Sequence, residues 1–233
     1  MTTRVYKFMK ADHAISSLQE KRLKLSTVDA LNDPFDLHAI ATTNHSEEIA
    51  VMAVIQHLQT SCGLLCFSKN WDNLLLWSHY ANCHTGVCLA FDIPDDDSHL
   101  DVLYQPNLLR IGDLLPDPLN FMANLNYGKR ILCAKHESWS YEQEVRVFVD
   151  LTLHPADEHG DRWVEFSTDL QLKGVIIGSR CCTDTALKVC EAVLEYPEPI
   201  ECAWAYMRRD AFLLVRDQPP PRANLFRPEC FKV

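Results

Sequence analysis

The chain has 233 residues, 47% of them hydrophobic, and a formal charge of −10 at pH 7 from 22 basic and 32 acidic side chains. That is enough apolar material for a sizeable core, and an acidic balance that offers no long-range attraction to a polyanion such as nucleic acid. No apolar run approaches the ~20 residues of a membrane-spanning helix, and the start Met-Thr-Thr-Arg-Val-Tyr-Lys-Phe lacks the apolar core of a secretion signal, so a cytoplasmic protein without a membrane partner is expected.

In that compartment the ten cysteines read as reduced thiols, and several (Cys66, Cys88, Cys133, Cys202) sit in apolar runs where cysteine behaves as a small hydrophobe. Only seven glycines occur, with neither a phosphate-binding loop nor a GxGxxG fingerprint, which argues against a P-loop NTPase or a Rossmann dehydrogenase.

In chain order, Val5 to Phe8 reads as a strand, and Asp12 as the cap of a short helix with Ala14, Ile15 and Leu18 apolar. Arg22 to Ser26 alternates as a strand, and Asn32-Asp33-Pro34-Phe35-Asp36 is a turn. Ser46 with Glu47 and Glu48 opens a second helix, Gly63 to Ser68 is a buried strand, Asp72 caps a helix over 73–82, and Thr85 to Asp92 is a strand. The pattern from Pro116 to Lys135 is helical. Strands follow at 145–149, 163–166 and 175–177, then a helix over 183–194 and strands at 200–206 and 212–215. There is no repeat and no clear linker, so the expectation is a single α+β domain over 1–233, its core at about 4–216 and an extended Pro-rich tail at 217–233.

The most informative stretch is Trp139-Ser-Tyr-Glu142-Gln-Glu144-Val-Arg146-Val-Phe-Val149. On an extended chain Glu142, Glu144 and Arg146 share one face, and Val145, Val147 and Val149 the other. Two carboxylates and a guanidinium suit a site that steadies positive charge, with Trp139 and Tyr141 keeping one side dry. The competing reading is a charged strand face on which Arg146 pairs with the acids. A second group is Trp77-Ser-His79-Tyr80-Ala with His84 and Gly86-Val-Cys88. Its His79, Cys83, His84 and Cys88 have the residue types for zinc, but the ligands would run from a helix end into a strand rather than as spaced pairs. Cys181 and Cys182 at a helix start are better explained by capping at Thr183 and Asp184 than by a nucleophilic thiolate.

Tyr6-Lys7-Phe8, Asn32-Asp33-Pro34-Phe35-Asp36, Cys66-Phe67-Ser68, Trp77-Ser-His-Tyr-Ala81, Gly86-Val-Cys88 and Trp139-Ser-Tyr-Glu-Gln-Glu-Val-Arg146 occur in that order. As a set, over about residues 4 to 180, they resemble a widespread bacterial family of cytoplasmic proteins classed as a domain of unknown function. A looser likeness is to the ADP-ribosyltransferase superfamily, with a first-strand polar residue, a strand ending in serine and a late Glu-x-Glu strand. That resemblance implies a split mixed or antiparallel sheet with helices, and NAD as substrate. It implies Glu144 as the catalytic acid, Glu142 on the acceptor side, and Ser68 bracing the nicotinamide. Arg4 or Lys7, beside Tyr6, would hold NAD, with His79 and Tyr80 in reach. Asp33, Phe35, Trp77 and Arg146 would contact the substrate. The usual Ser-Thr-Ser is only Phe67-Ser68-Lys69 here.

The resulting expectation is an enzyme that cleaves NAD and passes ADP-ribose to a protein, a nucleic acid or water, with no metal, in the setting of a toxin or phage-defence effector. One alternative is a metal-dependent hydrolase or nuclease using Asp33, Asp36, Glu142 and Glu144. The other is a non-catalytic binding or immunity module in which Trp77, His79, Tyr80 and the Glu-x-Glu strand form a packed network.

Overall fold

The computed structural model describes residues 1–110 and 125–217. In chain order these form β1 (Thr2–Met9), α1 (Ala11–Glu20), β2 (Arg22–Lys24), β3 (Ser26–Thr27), β4 (Ile40–Ala41), α2 (His45–Ser61) and β5 (Cys62–Ser68). Then come α3 (Leu74–His79), β6 (Val87–Pro94), β7 (His99–Asp101), β8 (Leu103–Gln105), β9 (Leu109–Arg110), α4 (Leu125–Ile131), β10 (Ala134–His136) and β11 (Glu144–Asp150). The described chain ends with β12 (Trp163–Glu165), β13 (Gln171–Ile177), α5 (Thr183–Leu194), β14 (Glu201–Met207) and β15 (Leu214–Asp217). Helix and strand are mixed, an α+β protein. Among the described residues no helix is long and apolar enough to cross a membrane.

The described residues divide into two compact units, each assembled from separated segments: 1–22, 70–94 and 165–217 in the first, 23–69, 95–110 and 125–164 in the second. In the first unit the strands run β15-β14-β13-β6-β1. All neighbours are antiparallel except β13 and β14. Those two are parallel because α5 carries the chain back across the sheet, a connection no hairpin can make. On β1 the period of two puts Val5 in the core, with Tyr6 and Phe8 on the opposite face among Trp77, Ala81, Cys88 and Ile176. Helix α1 packs on α5, and the Tyr196 hydroxyl donates to the Leu18 carbonyl at 2.7 Å.

In the second unit the order is β3-β5-β11-β7, all antiparallel. Helix α2 presents Val51, Val54 and Leu58 to a core completed by Leu64, Leu109, Ile131 and Leu132. Two short parallel ladders, β8 with β10 and β4 with β9, build a rim of loops on this unit.

Several caps lie one or two residues from where they are expected. Asn44, not Ser46, caps α2 by accepting from the Glu47 amide, while Glu47 reaches back to Thr43. Asn73, not Asp72, caps α3, and Asp12 stands in the first turn of α1, whose cap position is Lys10. The expected strand 22–26 is interrupted at Leu25, and α3 stops at His79 rather than Asn82 because residues 82–84 turn left-handed. The expected helix over 116–135 is realised only as α4. Residues 111–124 lie outside the described residues, and 134–136 are the strand β10. The tail 218–233 also lies outside them.

Candidate functional site

The chemistry-bearing residues of the second unit collect around Arg146. Strand β11 begins at Glu144, so Glu144 and Arg146, two residues apart, do lie on one face. Glu142 does not belong to that strand. It closes a 3-10 turn over Glu137–Glu142, and Gln143, with φ +43°, breaks the alternation between the two acids. The opposite face of β11 is core only at its start: Val145 is buried, Val147 and Val149 half-buried.

Glu142 and Glu144 nevertheless meet, through a cation that the sequence pattern placed in a helix. Lys135, on β10, donates to Glu142 Oε2 at 2.7 Å and to Glu144 Oε2 at 3.2 Å. Arg146 donates to both oxygens of Glu144, Nε to Oε1 at 2.9 Å and Nη2 to Oε2 at 3.0 Å. It also donates to Asp36 Oδ1 at 2.8 Å and, through Nη1, to the Leu132 carbonyl. Tyr104 and Ser68 complete the frame: the tyrosine hydroxyl accepts from the Glu144 amide at 2.8 Å, and Ser68 Oγ donates to the Glu142 carbonyl at 2.7 Å. Ser68 is therefore buried in this frame.

All five charged side chains are buried. Removing an ion from water costs several kcal/mol, which good geometry and hydrogen bonding must offset. Burial by itself would push the Glu144 carboxyl up. Arg146's charge and hydrogen bonds, with Lys135 behind them, hold it down to about 2. For Asp36 burial wins over Arg146 and Lys135, and its carboxyl stands above the usual range. Its Oδ2 has no hydrogen-bond partner. Two cations thus face three carboxylates, and Asp36 is the poorly satisfied one. Among the described residues no group of three or more His, Cys, Asp or Glu is arranged to hold a metal ion. Of the four acids named in the metal-dependent alternative, Asp33, Asp36, Glu142 and Glu144, the last three take their positive charge from Lys135 and Arg146.

Beside the network lies a cavity of about 630 Å³, lined by Asp33, Phe35, Gln105, Leu108, Lys135 and Trp139 among others. Asp33 and Phe35 reach it because Asp33 caps a 3-10 turn, its Oδ1 accepting from the Phe35 amide, with Pro34 in the first position. Trp139 borders the cavity and carries the Lys135 ammonium 4.8 Å from its ring centre. Lys135 is thus common to cavity and network. Among the described residues, neither Glu142 nor Glu144 lines the cavity.

The remaining expected site residues belong to the first unit. Arg4 pairs with Asp92, its direct cross-strand partner. Tyr6 points to the same face as Arg4, and Lys7, by the alternation of β1, to the other, so the three do not form one set. Trp77 is a core residue, stacked on the His84 ring. It is fully buried, its indole donates to the Trp71 carbonyl at 2.6 Å, and Phe8 meets it edge-on. His79 is exposed and Tyr80 half-buried, their rings 6.3 Å apart. Of the four residues with zinc-ligand chemistry, Cys88 is fully buried, while Cys83 and His84 lie in the left-handed run.

Lys135 and Tyr104 are the residues that sequence reasoning missed. A signal for Lys135 was there: it follows Ile131-Leu-Cys-Ala134, and a lysine at the end of an apolar run needs a partner. No protein-family model, curated protein or solved structure matches the chain.

Proposed function

We propose that the second unit is a small-molecule-binding module, and that its buried charges build one wall of the binding cavity rather than perform chemistry. The observation that carries this reading is the closed state of Glu144. It accepts two hydrogen bonds from Arg146 and one from Lys135, which leaves Lys135, not the acid, beside the cavity. A group that steadies a forming sugar cation must meet it directly, and an acid saturated by two cations is poorly placed to do so.

One observation favours a second reading. Glu144 and Ser68 are direct partners in the antiparallel pairing of β11 with β5, the juxtaposition that the ADP-ribosyltransferase resemblance implies. On that reading the sheet is of the split transferase kind, NAD is the substrate and Glu144 steadies the ribose as nicotinamide leaves. Lys135 would have to release Glu144 for it.

One experiment separates the two. Wild type, Leu108→Trp and Glu144→Gln are each given a set of aromatic fragments, followed by ligand-observed NMR, and NAD, followed by nicotinamide release. Leu108 lines the cavity yet is half exposed, so tryptophan there fills the space without disturbing the core. The binding reading expects fragments to bind wild type, Leu108→Trp to lose them, and no nicotinamide from any protein. Nicotinamide release that Glu144→Gln lowers by ~100-fold or more would replace it with the transferase reading.

A further inference from the structure

We infer that the cavity takes a small organic cation, an amine or quaternary ammonium on an apolar or aromatic body, with Asp33 as its counter-ion. This rests on the binding reading above. A space of about 630 Å³ lies within the ~300–1,000 Å³ of small-molecule sites, and its wall is mostly apolar, with few charged groups.

Those charges decide the sign of the ligand. Lys135 is the lysine of the wall, and its ammonium is committed to Glu142 and Glu144. The buried carboxylate of the wall is Asp33. One of its oxygens caps the Phe35 amide at 3.0 Å, and among the described residues no cation pairs with it. A buried carboxylate without a counter-charge is stabilised by any cation brought to it. An anion entering the same space would face Asp33 and, behind Lys135, a network with more carboxylates than cations. His136 offers no compensation in its neutral form: its Nδ1 accepts from the Ser138 amide, which leaves the ring proton on Nε2 as a neutral donor.

The aromatic rings agree with the charges. Trp139 already seats one ammonium, that of Lys135, on its face. Phe35 is 61% exposed, a large apolar side chain held on the cavity wall by the Asp33-Pro34 turn instead of being folded into the core. A ring face next to an unpaired carboxylate is the arrangement that desolvates and holds an alkylammonium head.

The test uses the whole chain and three probes of similar size: benzyltrimethylammonium, benzyl alcohol and phenylacetate. Affinities are measured by ligand-observed NMR titration for wild type, Asp33→Asn and Phe35→Leu. Asparagine keeps the oxygen that caps Phe35, and leucine keeps apolar bulk, so at least one variant retains the turn. The expected result is that wild type prefers the ammonium over the alcohol by about tenfold. Asp33→Asn should abolish that preference with benzyl alcohol unchanged, and Phe35→Leu should reduce it. Equal binding of alcohol and ammonium, or tighter binding of phenylacetate, overturns the cation while leaving the cavity a binding site. No binding of any probe overturns both.

Discussion

Two arginine–carboxylate pairs in this molecule have nearly the same local chemistry and opposite surroundings. In the first unit Arg4 pairs with Asp92 across β1 and β6, with side chains 38% and 17% exposed. In the second, Arg146 pairs with Glu144 along a single strand, with side chains 1% and 7% exposed. The exposed pair is screened by water and salt and contributes little to stability. The buried pair has given up its hydration, so each partner depends on the other. Charge spacing alone does not tell these cases apart; burial does. Arg146 also ties β11 to Asp36 and Leu132, whereas the Arg4 guanidinium serves one carboxylate.

The sharpest way to break this contrast is Glu144→Gln. With the anion gone, the charge on Arg146 remains buried beside a neutral amide, and a loss of about 3–5 kcal/mol in urea unfolding is expected. A loss below about 1 kcal/mol would mean that the network lends no net support.

A smaller effect of the opposite sign is expected from Asp36→Asn. Asp36 is raised by burial, so its contribution is complete below the ordinary carboxylate range and is lost as pH rises through the raised value. Glu144 is held down to about 2, so its contribution is complete above the ordinary range and is lost as pH falls towards that value. Asparagine keeps an acceptor for Arg146 and removes the surplus charge. Relative to wild type the variant should therefore gain stability over the pH range that starts at the ordinary carboxylate value, about 4, and runs up to the raised value of Asp36. A difference that stays constant across that range would remove Asp36 as the strained member.

The smallest effect belongs to the surface. Arg4→Met should change unfolding free energy by less than about 1 kcal/mol, and less still in high salt. A loss as large as that of Glu144→Gln would erase the distinction between the two pairs.

Much of the scaffold can be read locally. The helix over 183–194 has the bounds its periodicity predicts, and β5 and β11 follow from their apolar and alternating runs. The site is only half legible. Alternation places Glu144 beside Arg146, but nothing in the pattern announces that Gln143 takes φ +43° and swings Glu142 off the strand. Pairings between distant segments are the other loss: Asp36 and Arg146 are 110 residues apart, a separation that no periodicity records. Lys135 was hidden because its apolar approach continues a helical pattern that the chain abandons after Ile131. Asn44 and Asn73 show the same limit at small scale, since neighbouring residues have equally good capping chemistry and the direction of the entering chain decides between them.

Gly86 and Gly178 have a consequence of their own. A methyl group at Gly86 would overlap the Met9 and Ala81 carbonyl oxygens, and one at Gly178 those of His84 and Gly86. The Gly178 amide meanwhile donates to the Gly86 carbonyl, and the Arg180 amide to that of His84. Here main chain lies against main chain, with no room for a side chain at either glycine. The loops after α3 and after β13 thus behave as one joint, and sequence drift in either is limited by the shape of the other.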